Sequence, residues 1–436
     1  MNIRRRRLTV LPLAVAVWSA AQLVASPVVA SQAAGAQERP VRPGISVLMT
    51  DSVHLVRGKR VALLTNQSGM DEHGISDIDR LVDGTARSAG VKLVALFAPE
   101  HGIRGTEDRT NIAGGVDAKS GVVVHSLYGR TTTAPPDSTL RNVDVLLVDL
   151  QDLGARPWTF PASMVYTMRA AARNHLPMLL LDRPNPISGS HVEGPIVDLA
   201  LTNGEDDAPG RRAQPTSIYP IPLRHGLSMG ELARFYNDAL HIGAMLTVIP
   251  TAGWTRDQWF DQTRLPWVKP SPNMPSITSA TFYPGMVALE PTNLSVGRGT
   301  DSAFQIFGAP WMHAAAVAAR LTALDLPGIT FAVEEFTPVN PGDRKYGARV
   351  CQGVRMRITD REAFRSTLVA AAIVWAVARE NPDSLKVRTE GFDRTFGGVG
   401  LREALLAGES PRVVLARTEA AVAAFRERVA PYLLYR

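Results

Sequence analysis

A glutamate set between proline and histidine in a glycine-bounded run, Pro99-Glu100-His101-Gly102-Ile103-Arg104-Gly105, has the make-up of an acid/base site. Glu100 stands where an apolar run ends, with a second titratable group, His101, beside it. Such a setting suits a carboxyl group that must exchange a proton. In the plainer reading Glu100 is a solvated loop acid and His101 caps a turn. Three more polar runs follow apolar segments. They are Thr65-Asn66-Gln67-Ser68-Gly69, Asp149-Leu150-Gln151-Asp152-Leu153-Gly154-Ala155-Arg156, and Asp182-Arg183-Pro184-Asn185-Pro186 leading to His191-Val192-Glu193-Gly194-Pro195. Glu193 is a second candidate carboxylate, its aim set by Gly194 and Pro195, unless it only stabilises a turn. Asp149 and Asp152 are three apart, and one of them is better explained as an acceptor for loop N–H groups.

Arg104, Arg156, Arg183, Arg224 and Arg298 all sit beside Gly, Pro or His. A lone loop arginine makes a surface ion pair. Several aimed at one cleft bind an anion, because the guanidinium fork matches a carboxylate. A further polar run, Glu290-Pro-Thr-Asn293-Leu-Ser295-Val-Gly297-Arg298, adds an acid, an amide and a cation. Trp158, Trp267 and Trp311 offer sugar-stacking surfaces, although core packing is the commoner use of tryptophan. Paired carboxylates among amides and arginines suit glycoside hydrolysis, where one acid protonates the leaving oxygen and a second carboxylate attacks or activates water. Spacing along the chain leaves the pairing open, Glu100 with Asp152 included, and does not decide retention against inversion.

Other chemistries lack their signatures. No G-x-G-x-x-G follows a predicted strand, and neither G-x-x-x-x-G-K-[ST] nor H-E-x-x-H occurs. The absence of G-x-S-x-G argues against an α/β-hydrolase. The nine histidines are scattered without ligand spacing, and the single cysteine, Cys351, excludes a disulfide framework or a cysteine-based zinc site. No cofactor is expected.

These loops need a scaffold. Val- and Leu-rich runs at 61–66, 93–98, 122–127, 143–150, 178–182 and 246–250 predict strands buried on both faces of a parallel sheet. Amphipathic stretches at 75–89 and 161–174, and a capping box at Ser228-Met-Gly-Glu231, predict helices between them. The alternation indicates an open α/β domain, whose ligands bind outside the carboxyl ends of the strands. A Pro-rich stretch at 266–284 breaks the rhythm and divides an N-terminal domain at 44–265 from a smaller α+β domain at 285–436. In the latter, helices are expected near 311–324, 361–379 and 411–428, with strands near 329–333 and 354–358.

The 436 residues, 45% hydrophobic and 20% charged, are ordinary for a folded enzyme and exclude wholesale disorder. Residues 1–36 read as a signal peptide: Arg4 to Arg7, then the apolar run LTVLPLAVAVWSAAQLVA, then small residues. Removing those arginines takes the net charge from +6 to about +2, too balanced for a nucleic-acid partner. No later stretch is long and apolar enough to span a bilayer. The expectation is an exported protein, periplasmic or secreted, without stable membrane insertion after cleavage; the oligomeric state is left open.

The stretches GKRVALLTNQSG, LVALFAPEHGIRG, HSLYG, DVLLVDLQDLGAR, LLLDRPNPISG with VEGP, PIPLRHGLSMGELA, LPWVKPSPNMP, YPGMVALEPTNLSVGRGT and YLLYR follow one another in that order. Through them the chain closely resembles the DUF1343 family, whose characterised members are exo-β-N-acetylmuramidases of the NamZ type. The resemblance runs from about Gly58 to Arg436. It implies a Rossmann-like, mainly parallel sheet domain, a smaller C-terminal domain and an active site between them. It also implies hydrolysis of terminal, non-reducing β-linked N-acetylmuramic acid from peptidoglycan fragments. The family glutamates in PEHG and VEGP fall on Glu100 and Glu193, which are thereby the implied catalytic pair. The muramyl saccharide is expected to meet Asn66, His101, Arg104, Gln151, Asp152 and Arg156. From later in the chain Arg183, Asn185, His225, Glu290, Asn293 and Arg298 are expected to join them. TFPASM and Glu290-Pro-Thr-Asn depart from the usual family pattern without loss of a charged group, which bears on substrate preference. The rival readings are a catalytically silent cell-wall sugar binder and a metal- or phosphate-dependent hydrolase built on Asp149, Asp152 and His101.

Overall fold

Six apolar runs become the parallel strands of one sheet. In the computed structural model, which describes residues 41–105, 113–128, 133–202 and 216–436, these are β1 (Arg60–Thr65), β2 (Lys92–Ala98), β4 (Val123–Ser126), β5 (Val145–Asp149), β6 (Met178–Leu181) and β9 (Leu246–Ile249). A two-residue strand, β3 (Gly115–Val116), adds an antiparallel edge, giving the order β3-β4-β2-β1-β5-β6-β9. The parallel strands thus run outward in both directions from β1, and the chain reverses its direction of sheet building between β1 and β5. That reversal opens a crevice at the carboxyl ends of these strands.

The continuous apolar runs are explained by burial on both faces. Ala62, Leu64, Phe97, Leu146 and Val148 belong to one core, whereas Val61, Leu63, Leu96, Val145 and Leu147 belong to another. Alternate side chains leave a strand on opposite sides, so each run feeds both cores. The first core continues without a break into the C-terminal part, through Phe307, Val354, Ile373 and Phe392. The described residues form one compact unit.

Helix Met229–Ala239 starts with the full capping box, Ser228 and Glu231 satisfying each other's backbone N–H. Helix Phe160–Arg173 carries Pro161 in its first turn, where a missing N–H costs nothing. The helix expected over 75–89 is instead two short ones, Asp77–Arg80 and Gly84–Ser88. Asp83 accepts the Ala86 amide as a new N-cap, which restarts the helix and breaks the run.

A smaller domain of helices and antiparallel sheet follows. Its three strands, β10 (Ile306–Ala309), β11 (Ile329–Val333) and β12 (Gln352–Ile358), lie in the order β10-β12-β11. The predicted 361–379 helix begins later, at Ser366–Glu380, because Asp360 accepts the amides of Glu362 and Ala363 in a turn. The 411–428 stretch is likewise two helices, Pro411–Ala416 and Glu419–Val429. Part of the Pro-rich stretch is helical, Ile277–Met286. Gly285 lets that helix meet helix Ser366–Glu380: a Cβ there would stand 2.0 Å from the Ser366 carbonyl oxygen. Far along the chain, Tyr435 returns to the first sheet and donates its hydroxyl to Asp182 at 2.6 Å.

Candidate active site

Two loops at the carboxyl ends of β2 and β5 form one wall of a cleft of about 360 Å³, within the range of small-ligand sites. The first loop supplies Glu100 and His101, the second Pro157, Trp158 and Thr159. His101 is held at φ 70°, a left-handed conformation that costs a non-glycine residue energy and turns the chain sharply beside Glu100. Thr159 precedes helix Phe160–Arg173 but does not cap it; its hydroxyl donates instead to Glu100 Oε2 at 2.7 Å.

The C-terminal half closes the cleft with Tyr283, Glu290, Arg298, Arg388 and Arg394, and the Pro-rich stretch adds Ser271 and Asn273. Glu290 is ion-paired with Arg298 through Oε1. Its loop is clamped from behind by Lys345, which donates to the carbonyls of Glu290 and Leu294, both at 2.8 Å. Burial lifts the Tyr283 phenol well above its ordinary value, and the negative charges of Glu290 and Glu100 push the same way against Arg298. Tyr283 is therefore a neutral hydrogen-bond donor set among the cleft's carboxylates. Arg388 is exposed and makes no ion pair or side-chain hydrogen bond among the described residues.

Of the residues singled out from sequence, Glu100, His101, Glu290 and Arg298 meet in this cleft, with Trp158 in its wall. Trp158 packs edge-on against Tyr283, ring centroids 5.5 Å apart. Glu193 does not join them. It opens a short strand, β7 (Glu193–Ile196), paired with β8 (Pro222–Arg224), and lines a separate cavity. Its carboxylate is taken up by Ser366, Thr367 and fully buried Arg224. The glutamate that lines the cleft with Glu100 is Glu290, whereas Glu193 lines the other cavity.

Several of the residues expected to meet the saccharide make contacts within the protein. Arg183 is buried against Asp149 and Asp77 and donates to the Met70 carbonyl at 2.7 Å. Asp77 is raised well above an ordinary carboxyl by burial and by Asp149, against the help of Arg183. Arg156, fully buried, donates to the carbonyls of Pro195 (2.7 Å), Ile221 (2.8 Å) and Thr395 (2.6 Å), and burial draws it down to about 9. Arg104 pairs with Asp117. Asn66 accepts from the Ser68 amide and hydroxyl, Asn185 bridges Leu227 and Ile187, and Asn293 ties Ser384 to Lys386. Gln151 donates to two loop carbonyls. Asp152 accepts the Gly154 amide at 2.7 Å and faces His225 Nε2 at 3.2 Å. His225 Nδ1 accepts the Leu227 amide, so the neutral ring carries its proton on the side of Asp152. Trp267 packs on Phe260, and Trp311 donates to Tyr346.

Sequence reasoning passed over Thr159, Tyr283, Arg388 and Arg394. Arg394 lies on a helix, Thr389–Phe396, with Arg388 at its N-cap, and neither stands beside a glycine-rich turn. Among the described residues no group of three or more His, Cys, Asp or Glu could hold a metal ion, and no helix is long and apolar enough to cross a membrane.

Comparison with known proteins bears on what this cleft is for. The N-terminal family model of exo-β-N-acetylmuramidase NamZ matches residues 61–278, and the C-terminal one matches 281–435. The chain is 37% identical over 402 residues to the peptidoglycan β-N-acetylmuramidase NamZ of Bacillus subtilis (strain 168), covering 92% of each. Two crystal structures of DUF1343 family proteins from Bacteroides fragilis NCTC 9343 share its fold. One has a TM-score of 0.80 at 33% identity, the other 0.72 at 29%, each over 91% of this chain and 99% of the other. With both family models matched in order and a relative aligned along nearly all its length, the chain belongs to the NamZ family of exo-β-N-acetylmuramidases.

Proposed function

We propose that this chain is an exo-acting glycoside hydrolase that removes terminal, non-reducing β-linked N-acetylmuramic acid from peptidoglycan fragments. The observation that carries the reading is the meeting of Glu100 and Glu290, from opposite halves of the chain, in one cleft with arginines and a neutral tyrosine. Glu100, oriented by Thr159, gives its proton to the departing glycosidic oxygen. Glu290, held by Arg298, sets a negative charge beside the cationic sugar of the transition state and either attacks it or directs water to it. Tyr283 donates to an oxygen of the bound sugar. Arg388 supplies a guanidinium for the lactyl carboxylate that distinguishes muramic acid from other amino sugars.

The test is mass-spectrometric analysis of a defined disaccharide with muramic acid at its non-reducing end. Release of free N-acetylmuramic acid by the wild type, and its loss in Glu100→Gln and Glu290→Gln, is the expected result. Binding without release would make the protein a sugar sensor and overturn the proposal. The basic and apolar make-up of residues 1–36 supports export to the compartment that holds such fragments. N-terminal sequencing of the protein recovered outside the cytoplasm checks that part.

A further inference from the structure

A second pocket, about 370 Å³ and open to solvent on one side, lies between β7, the start of helix Ser366–Glu380, and helices Pro411–Ala416 and Glu419–Val429. It shares no lining residue with the Glu100 cleft. Glu193 lines it, with its side chain only 10% exposed. The neighbouring Gly194 permits this approach, since a Cβ there would stand 2.5 Å from the Thr367 methyl. Around Glu193 the donors are the Ser366 amide and hydroxyl and the Thr367 hydroxyl at 3.2 Å, and Arg224 Nη1 at 3.4 Å. Its Oε2 takes only the Thr367 hydroxyl, which leaves that oxygen able to accept another N–H.

Three more guanidiniums line the space. Arg365 donates to the carbonyls of Glu362 and Phe364, Arg412 to those of Leu324 and Asp325, and Arg426 to that of Val192. None of the three meets a carboxylate at ion-pair distance among the described residues. The only other acid in the lining is Glu419, so cations outnumber anions here. Leu368, Leu415 and Val422 supply aliphatic surface between the charges.

An acceptor for N–H at one place, guanidiniums bonded to main-chain carbonyls but paired with no carboxylate among the described residues at another, and aliphatic wall between them define a ligand. A simple fatty acid lacks the N–H, and inorganic phosphate would be repelled by Glu193 without using the apolar wall. We propose that this cavity is a second binding site, separate from the cleft, for a short acidic peptide. The peptide carboxylate lies on Arg412 and Arg426, its small aliphatic side chain against Leu415 and Val422, and its amine or amide N–H on Glu193. The site stands on its own geometry and does not depend on the hydrolytic assignment.

Titration calorimetry of the full chain with the dipeptide alanyl-glutamate tests it, with succinate as the control that keeps the carboxylates and lacks the N–H. Saturable binding of the dipeptide, weaker binding of succinate, and a loss of about tenfold or more in Arg412→Ala/Arg426→Ala are expected. The same double variant should hydrolyse a chromogenic muramide at the wild-type rate. Circular dichroism checks its fold, and Arg426→Gln, which keeps an N–H donor on a shorter side chain and removes the charge, repeats the measurement if the double variant is unfolded. No binding at millimolar dipeptide, unchanged binding in the folded variants, or simple competition between dipeptide and muramide for the cleft would overturn the proposal. Because binding and hydrolysis are read separately, an inactive protein that still binds the dipeptide would sink the hydrolytic reading alone.

Discussion

The hydroxyl of Thr159 is 2.7 Å from Oε2 of Glu100, and it is given to that carboxylate although Thr159 occupies the N-cap position of its own helix. The helix start thus forgoes a stabilising contact in order to fix a side chain on the neighbouring loop. Glu100→Gln is expected to lower kcat by about 10³-fold with the fold intact. Thr159→Val should lower kcat by about tenfold with little change in KM, and Thr159→Ser should restore it. Kinetics on a chromogenic N-acetylmuramide read all three, and a fully active Glu100→Gln would remove that residue from the chemistry.

Tyr283 offers a separable test of electrostatic stabilisation. Burial and the surrounding carboxylates hold its phenol well above the ordinary value, so it is a donor at neutral pH. Tyr283→Phe keeps the ring against Trp158 and Phe304 and removes only the hydroxyl. A fall in kcat of about 10²-fold without a change in thermal stability is the expected outcome. An equal loss of stability would assign Tyr283 to packing instead.

Recognition of the lactyl group is placed on Arg388. Arg388→Ala should raise KM for a muramide by about tenfold or more and leave an N-acetylglucosaminide, which lacks the carboxylate, almost unaffected. Equal losses on the two substrates would count against carboxylate recognition.

Arg156 makes the opposite prediction from the one its sequence context suggests. Its guanidinium satisfies three main-chain carbonyls and reaches no ligand space, so Arg156→Ala should cost about 3–5 kcal/mol of stability. Urea unfolding measures it. A stable variant with only a raised KM would return Arg156 to the substrate.

The pH dependence of stability has an identifiable source in Asp182. Burial pushes its carboxyl up to about 6, against hydrogen bonds from Ser228, Tyr435 and the Gly230 amide, while Glu231 adds to the rise. The folded state therefore holds the proton more tightly than the unfolded chain does. This contribution is complete below about pH 4 and is lost as pH rises to about 6, on the order of 3 kcal/mol in all. Asp182→Asn should flatten that part of the profile, measured as the difference between variant and wild type in urea at pH 4 to 7. Identical slopes would exclude Asp182 as the source.

The sheet was legible because a strand buried on two faces must be apolar at every position, as Val145 to Val148 are. The Ser228–Glu231 box was legible for a similar reason, since both halves of the device lie within one turn. Half the cleft could also be read, because Glu100 lies at a strand terminus where open sheets bind ligands. Tyr283, Arg388 and Arg394 could not, as local spacing encodes a helix but not which distant loop it will face. The arginines show the limit most clearly. Arg156, Arg183 and Arg298 stand in similar sequence surroundings, and only their acceptors in three dimensions separate a buried strut from a cleft cation. Gly194 and Pro195 suggest a loop around Glu193, where pairing with β8 makes a short strand.

The contact between Asp182 and Tyr435 spans 253 residues of chain. During synthesis the first sheet leaves the ribosome long before Tyr435 does, and until then the Asp182 pocket stands open beside a completed β6. The early half of the molecule must therefore wait in an unfinished state, and a premature stop shortly before Tyr435 would leave the Asp182 site permanently unsealed.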